Sequence, residues 1–177
     1  MYQPNFTISS NLLQYALAGA NRRAQATRHG SEAAAVNYFG AIGLAFQKRL
    51  GREVGANLVQ AGNEYKVVDF HYDSDKWGAT GVSTIANREI GVWKGIMHTH
   101  PTNVSFSGLG VYYQNGRTSF GLMESDVNQS MVHGVSNYLV LPNHTAQRFN
   151  YEAWMRAAMS DHSGERIYAR DFVENIF

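Results

Sequence analysis

Cysteine is absent from all 177 residues, which excludes thiol catalysis, disulfide scaffolding and any metal site built on thiolates. A metal bound here must be held by histidines and carboxylates. An excess of one charge is missing as well: 15 Lys and Arg against 14 Asp and Glu leave a formal net charge of +1. No basic field of the kind that drives nucleic-acid binding results, and Arg22-Arg23, Lys48-Arg49 and Arg52 read as solvated helix faces. No apolar run approaches the roughly 20 residues that span a bilayer, and Met1-Tyr2-Gln3-Pro4-Asn5 lacks the charged and apolar regions of a signal peptide. The expectation is a soluble chain that engages neither nucleic acid nor membrane.

The length fits one domain with a sizeable core. Residues 9–28 and 32–50 read as an N-terminal helical pair, Ala-rich, with Leu, Tyr and Phe returning every three or four positions. Ser9 or Ser10 and Ser31 are the candidate N-caps, and His29-Gly30 is the break. From Gly51 the pattern changes to short strands. Val54 to Gln60 and Glu64 to Tyr72 flank a turn at Ala61-Gly62-Asn63 and predict a hairpin. A polar loop through Asp73 to Gly78 precedes an apolar strand, Ile90 to Ile96. Residues 102–122 hold four glycines and little periodicity, which reads as a long functional loop with a small hairpin at Val111 to Phe120. Ser125 to His133 reads as a helix, Tyr138 to Asn143 as strand and turn, Thr145 to Phe149 as a strand and Glu152 to Met159 as a closing helix. The expected class is α+β, an α/β sandwich with a mixed sheet flanked by helices.

Met97-His98-Thr99-His100-Pro101 is the most informative stretch. Side chains at i and i+2 of a strand share a face, so His98 and His100 present two imidazoles together. Such a pair can ligate one borderline cation such as zinc, with a carboxylate and a water completing the tetrahedron. The proline ends the strand and fixes the exit of the loop. With seven histidines a lone His-x-His arises by chance in about a quarter of such sequences, and an exposed or hydrogen-bonded strand pair is the competing reading.

Glu53 opens the first strand, the histidine pair ends a central one, and Asp126 begins the following helix. This order resembles the JAMM motif of MPN-fold zinc metalloproteases: Glu, then His-x-His-Pro, then Ser-x-x-Asp. The resemblance spans roughly residues 50–150 and leaves the helical segment 1–50 outside the motif, packed on a 51–177 core. It implies an MPN-like fold, related to that of cytidine deaminases. It further implies that His98, His100 and Asp126 ligate Zn2+ and that Glu53 is the general base toward the attacking water. Val54-Gly55 and Tyr138 to Asn143 are also similar to bacterial JAB-like domains, including those of polymorphic toxins and Rhs-type effectors. That branch implies a protein or peptide substrate, a cognate immunity or delivery partner, and either a cytoplasmic location or secretion into a target cell.

The pattern departs from the family in one respect. Asp126 lies 26 residues beyond His100, and Met123 stands where the serine belongs. An insertion between Ser107 and Ser125 repairs the alignment and leaves the oxyanion-stabilising serine open between Ser107, Ser119 and Ser125. Glu64 and Glu89 are rival bases, Glu53 can be read as a salt-bridging surface residue, and Glu124 is the fallback ligand. His133, His144 and His162 read as surface residues and His71 as packed in the sheet. Tyr112, Tyr113 and Phe120 form either a substrate lip or the cover of a small core.

Two functions follow. The first is a zinc metallohydrolase cutting a peptide or isopeptide bond. The second is a catalytically weak or inactive MPN-like interaction module that binds partners through Thr102 to Glu124. A nucleobase deaminase is excluded for want of cysteine ligands, and a cupin for want of a glutamate at Val104 or Ser105.

Overall fold

Ser31 and Gly51 bracket the second of two N-terminal helices, α1 (Ser10–Ala26) and α2 (Glu32–Leu50). The Ser31 side chain accepts the Ala34 N–H, and Gly51, at φ 65°, donates its own N–H to Gln47 O. Both ends of α2 thus satisfy backbone groups that the helix leaves open. The computed structural model describes residues 10–72, 91–119, 125–160 and 163–177; the loop from Asp73 to Gly78, Glu89, Phe120, Glu124 and His162 lie outside them.

The expected hairpin forms as β1 (Val54–Ala61) and β2 (Glu64–Tyr72). The interhelical break docks onto it, because His29 and Tyr65 exchange backbone hydrogen bonds of 2.9 and 2.8 Å. Next come β3 (Val92–Thr99), a small hairpin of β4 (Tyr112–Gln114) and β5 (Arg117–Thr118), α3 (Asp126–His133), β6 (Ser136–Val140), β7 (Ala146–Phe149) and α4 (Tyr151–Ser160). That helix does not close the chain. Beyond it lie β8 (Ile167–Tyr168), a 3-10 turn (Ala169–Phe172) and β9 (Val173–Asn175).

Six strands form one sheet in the order β2-β1-β3-β6-β7-β9, and β5-β4-β8 form a second, small one. β3 and β6 are parallel and the other described pairs antiparallel, so the sheet is mixed and the class is α+β. Alternation along each strand divides the core in two. Val54, Ala56, Leu58, Met97, Tyr138 and Val140 pack under α1 and α2 with Ala24, Val36 and Phe39. Leu139, Leu141 and Phe149 face the other way, onto Val127 of α3, Trp154 of α4 and Phe106 and Val111 of the long connection. His98 pairs with Gly55 and Leu139, which puts it on the α3 face. Among the described residues no helix is long and apolar enough to cross a membrane.

Candidate metal centre

Three chain segments meet at the C-terminal end of β3. Its last residues carry His98 and lead into His100, the start of β1 follows Glu53, and the first turn of α3 carries Asp126. Each is pinned by its backbone. The Val54 N–H donates to Thr99 Oγ1 at 3.1 Å and holds the β1 start against β3. Gln47 Nε2 on α2 donates to His100 O at 2.8 Å, and the His100 N–H donates to Val140 O at 3.3 Å.

The hydrogen bonds of the rings decide which nitrogen faces the centre. His100 Nδ1 lies 2.8 Å from Val104 O, and a carbonyl oxygen only accepts, so Nδ1 carries the proton. Asn137 Nδ2 donates to Asp126 O at 3.0 Å. The amide is thereby oriented with Oδ1 toward His98 Nδ1, at 3.0 Å, and that nitrogen too is the donor. Both Nε2 atoms are left to point inward.

They approach to 3.2 Å. Asp126 Oδ1 lies 3.2 Å from His98 Nε2 and Oδ2 3.7 Å from His100 Nε2. Donor atoms of the three side chains all fall within 4.8 Å of one another. Two ring nitrogens and a carboxylate around one point suit a positive charge between them, either a proton on His98 Nε2 shared with its neighbours or a metal ion. The His98 ring reflects this: burial opposes its charged form, yet the Asp126 and Glu53 carboxylates outweigh burial and raise its pKa. At His100 burial and the neighbouring His98 charge prevail and lower it.

Burial likewise opposes the charged form of Asp126, but His98 and the Ser107 N–H reverse that and hold its carboxyl below the usual carboxylate range. Ser107 contacts it three times: its N–H and Oγ reach Oδ2 at 2.7 and 2.9 Å, and the Asp126 N–H donates to Ser107 Oγ at 2.9 Å. Nineteen positions separate the two residues. The chain between them returns to its own starting point, where Val127 N–H donates to Ser107 O at 3.3 Å. Gly108 permits the closure. Its φ is +82°, and a Cβ there would lie 2.5 Å from Ser125 Oγ.

Glu53 is 5% exposed, with Oε1 3.9 Å from His100 Nε2. It stands beside the three-residue group as a second carboxylate. The histidines, Asp126 and Glu53, predicted from widely separated stretches, are therefore neighbours. Of the three candidate serines only Ser107 meets a member of the group. Ser125 caps α3 through the Asn128 N–H, and Ser119 Oγ accepts the Tyr112 N–H at 2.9 Å in the small sheet.

The rival Glu64 is exposed at the hairpin turn and pairs with Arg28 at 3.1 Å. His133 packs against Trp93 with the rings tilted by 54°, and His144 is an exposed turn residue with φ 65°. Tyr112 packs against Tyr168 and under Arg166. Asn137 and Gln47 are the site residues that sequence reasoning passes over. Their one signal is a polar side chain inside an otherwise apolar buried pattern, and only the register reveals what each one touches. In comparisons with protein-family models, curated proteins and solved structures, nothing matches this chain.

Proposed function

We propose that this protein is a zinc-dependent hydrolase of amide bonds, acting on a peptide or isopeptide. The observation that carries the reading is the pair of inward Nε2 atoms facing Asp126, with their Nδ1 atoms committed elsewhere. Two imidazoles and one carboxylate leave room for an open position, the donor set of a catalytic rather than a structural zinc site, and the absence of cysteine suits it.

Zinc, when bound, lowers the pKa of water to about 7 and polarises a carbonyl oxygen. The chain's own residues supply the rest. Glu53, set apart from the three ligands, takes a proton from the attacking water and returns it to the leaving nitrogen as the C–N bond breaks. One water is consumed, and a carboxylic acid and an amine are released. Ser107 and Asn137 orient Asp126 and His98, and the low exposure of Glu53 and His98 keeps bulk water from competing.

The test is metal content and turnover measured on one set of proteins. Wild type should bind about one zinc per chain, the His98→Ala/His100→Ala double variant none, and Glu53→Gln should keep zinc while losing hydrolysis of a peptide library. Zinc binding with no hydrolysis in wild type would favour the interaction-module reading.

A further inference from the structure

Asn115 and Gly116, at φ 49° and 77°, form the two-residue turn that matches the twist of paired strands. The turn fixes the register of the small hairpin, with Gln114 paired to Arg117 and Tyr113 to Thr118. On the other side of β4, Tyr112 pairs with Tyr168 and Tyr113 with Ile167 of β8. Directly paired residues share a face, and the faces alternate along a strand. Tyr113 and Ile167 pack on the core around Trp154. Tyr112, Gln114, Arg117 and Tyr168 therefore make the opposite, outer face.

That face collects guanidinium groups. Arg166 Cζ lies 4.5 Å from the centroid of the Tyr112 ring and Arg170 Cζ 4.2 Å from that of Tyr168. The two rings lean on each other with centroids 5.6 Å apart. Gln114 ties the layer together: its Nε2 donates to Gly164 O at 2.9 Å, and its Oε1 accepts from Arg166 Nε at 3.4 Å. Arg117, Gln114 and Arg166 thus form one row across the three strands. Arg117, Arg166 and Arg170 are all exposed. Among the described residues the one carboxylate paired with any of the three is that of Asp171, whose Oδ1 is 4.0 Å from Arg170 Nε.

A guanidinium laid flat on an aromatic ring keeps its N–H groups at its edge, where they match the two oxygens of a carboxylate. Its side chain is already ordered, so binding gives up less conformational freedom. Arg117 and Arg166 stand on strands two spacings apart, about 9.5 Å. An extended chain of the polyproline II kind returns to the same side every third residue, after about 9.3 Å. Carboxylates three residues apart on such a segment therefore meet both arginines. A nucleic acid is the poorer match, because the chain as a whole carries a formal charge of only +1 and lacks the extended basic field that phosphate backbones require.

We propose that the outer face of the β5-β4-β8 sheet docks an extended acidic segment of a partner protein, whose carboxylates are taken by Arg117, Arg166 and Arg170. Tyr112 and Tyr168 hold two of those guanidiniums in place. The proposal holds whatever reaction the metal centre performs, since its residues are other than His98, His100, Asp126 and Glu53.

The test titrates the full chain, by fluorescence anisotropy, against a labelled peptide of Glu-Glu-Ser repeats, with a Gln-Gln-Ser peptide and an oligothymidylate of similar length measured alongside. Wild type should bind the glutamate peptide and not the glutamine one, more weakly as salt is raised. Each of Arg117→Gln, Arg166→Gln and Arg170→Gln should weaken binding about two- to fivefold, the range of an exposed ion pair, and the triple variant should weaken it about tenfold or more. Arg166→Lys, which keeps the charge but not the planar fork, should recover only part of the loss. Arg22→Gln/Arg23→Gln, exposed on α1, should bind as wild type does. Failure of wild type to bind the glutamate peptide would overturn the proposal. So would an equal loss in the α1 variant, the mark of a general charge effect, or tighter binding of the oligothymidylate, which would make the face a nucleic-acid surface.

Discussion

Asn137 holds His98 with its side-chain oxygen, at 3.0 Å from Nδ1. With its nitrogen it holds the Asp126 carbonyl, also at 3.0 Å. One buried amide therefore joins the strand that carries one candidate ligand to the helix that carries another.

Partners of this kind fix the tautomer and direction of a ligating ring, and their loss typically costs 10–100-fold in metal affinity. Asn137→Ala should weaken zinc binding by about that range while leaving the circular dichroism of the fold in place. A competition titration with a chromophoric chelator measures it, and an unchanged affinity would mean that His98 is oriented without Asn137.

Glu53→Gln separates base from ligand. The amide keeps the size of the side chain but cannot take a proton, so turnover should fall by about a hundredfold or more, with zinc stoichiometry unchanged. If zinc is lost with the charge, Glu53 is a ligand and not a base.

Gly108→Ala changes no ligand, yet it should disturb the centre. The new Cβ would meet Ser125 Oγ at 2.5 Å, and the backbone there has φ +82°, a conformation that costs an L-residue about 1–2 kcal/mol. Because Ser125 directly precedes Asp126, the variant should lower both melting temperature and zinc affinity. A drop in melting temperature with zinc affinity intact would show that the closure supports the fold alone.

Part of the acid sensitivity lies at the far edge of the sheet, away from Asp126. Burial opposes the charge of Glu174, but Asn150 and Arg148 together outweigh it and lower its pKa from 4.5. A depressed carboxyl contributes stability that is present above its ordinary value and lost as pH falls through the folded one. Glu174→Gln should therefore be less stable than wild type at neutral pH, with the difference shrinking below about pH 4.5, the ordinary value. The contribution is small because the pair is half exposed. Chemical denaturation at pH 7 and pH 3 checks the sign.

The helical pair, the first hairpin and the histidine strand are legible in the sequence because each repeats a period long enough to read. Ser31 and Ser125 cap their helices where local chemistry says they must. The strands after Ser160 are not legible, being two or three residues long and half-buried to exposed, with no alternation to detect. Nor is the bulge in β2, where the register against β1 shifts between Gly55 and Asn57 and Asp69 adopts φ 58°, since a single extra residue inverts every side chain beyond it without altering composition. The role of Ser107 is hidden for a different reason. Spacing along the chain suggests a serine close to Asp126 in sequence, whereas the contact is made from nineteen positions away.

That long-range contact has a consequence for how the molecule can be modified. Ser107 and Asp126 touch, and Val127 bonds back to Ser107 O, so the two ends of the intervening stretch are held together, while its hairpin is anchored separately by the pairing of β4 with β8. Lengthening such a closed excursion costs only slowly growing entropy, about 0.6 kcal/mol per doubling. An insertion at the tight turn between β4 and β5, Asn115-Gly116, can therefore grow outward while the Ser107 junction beside the candidate metal centre and the pairing with β8 both stay in place.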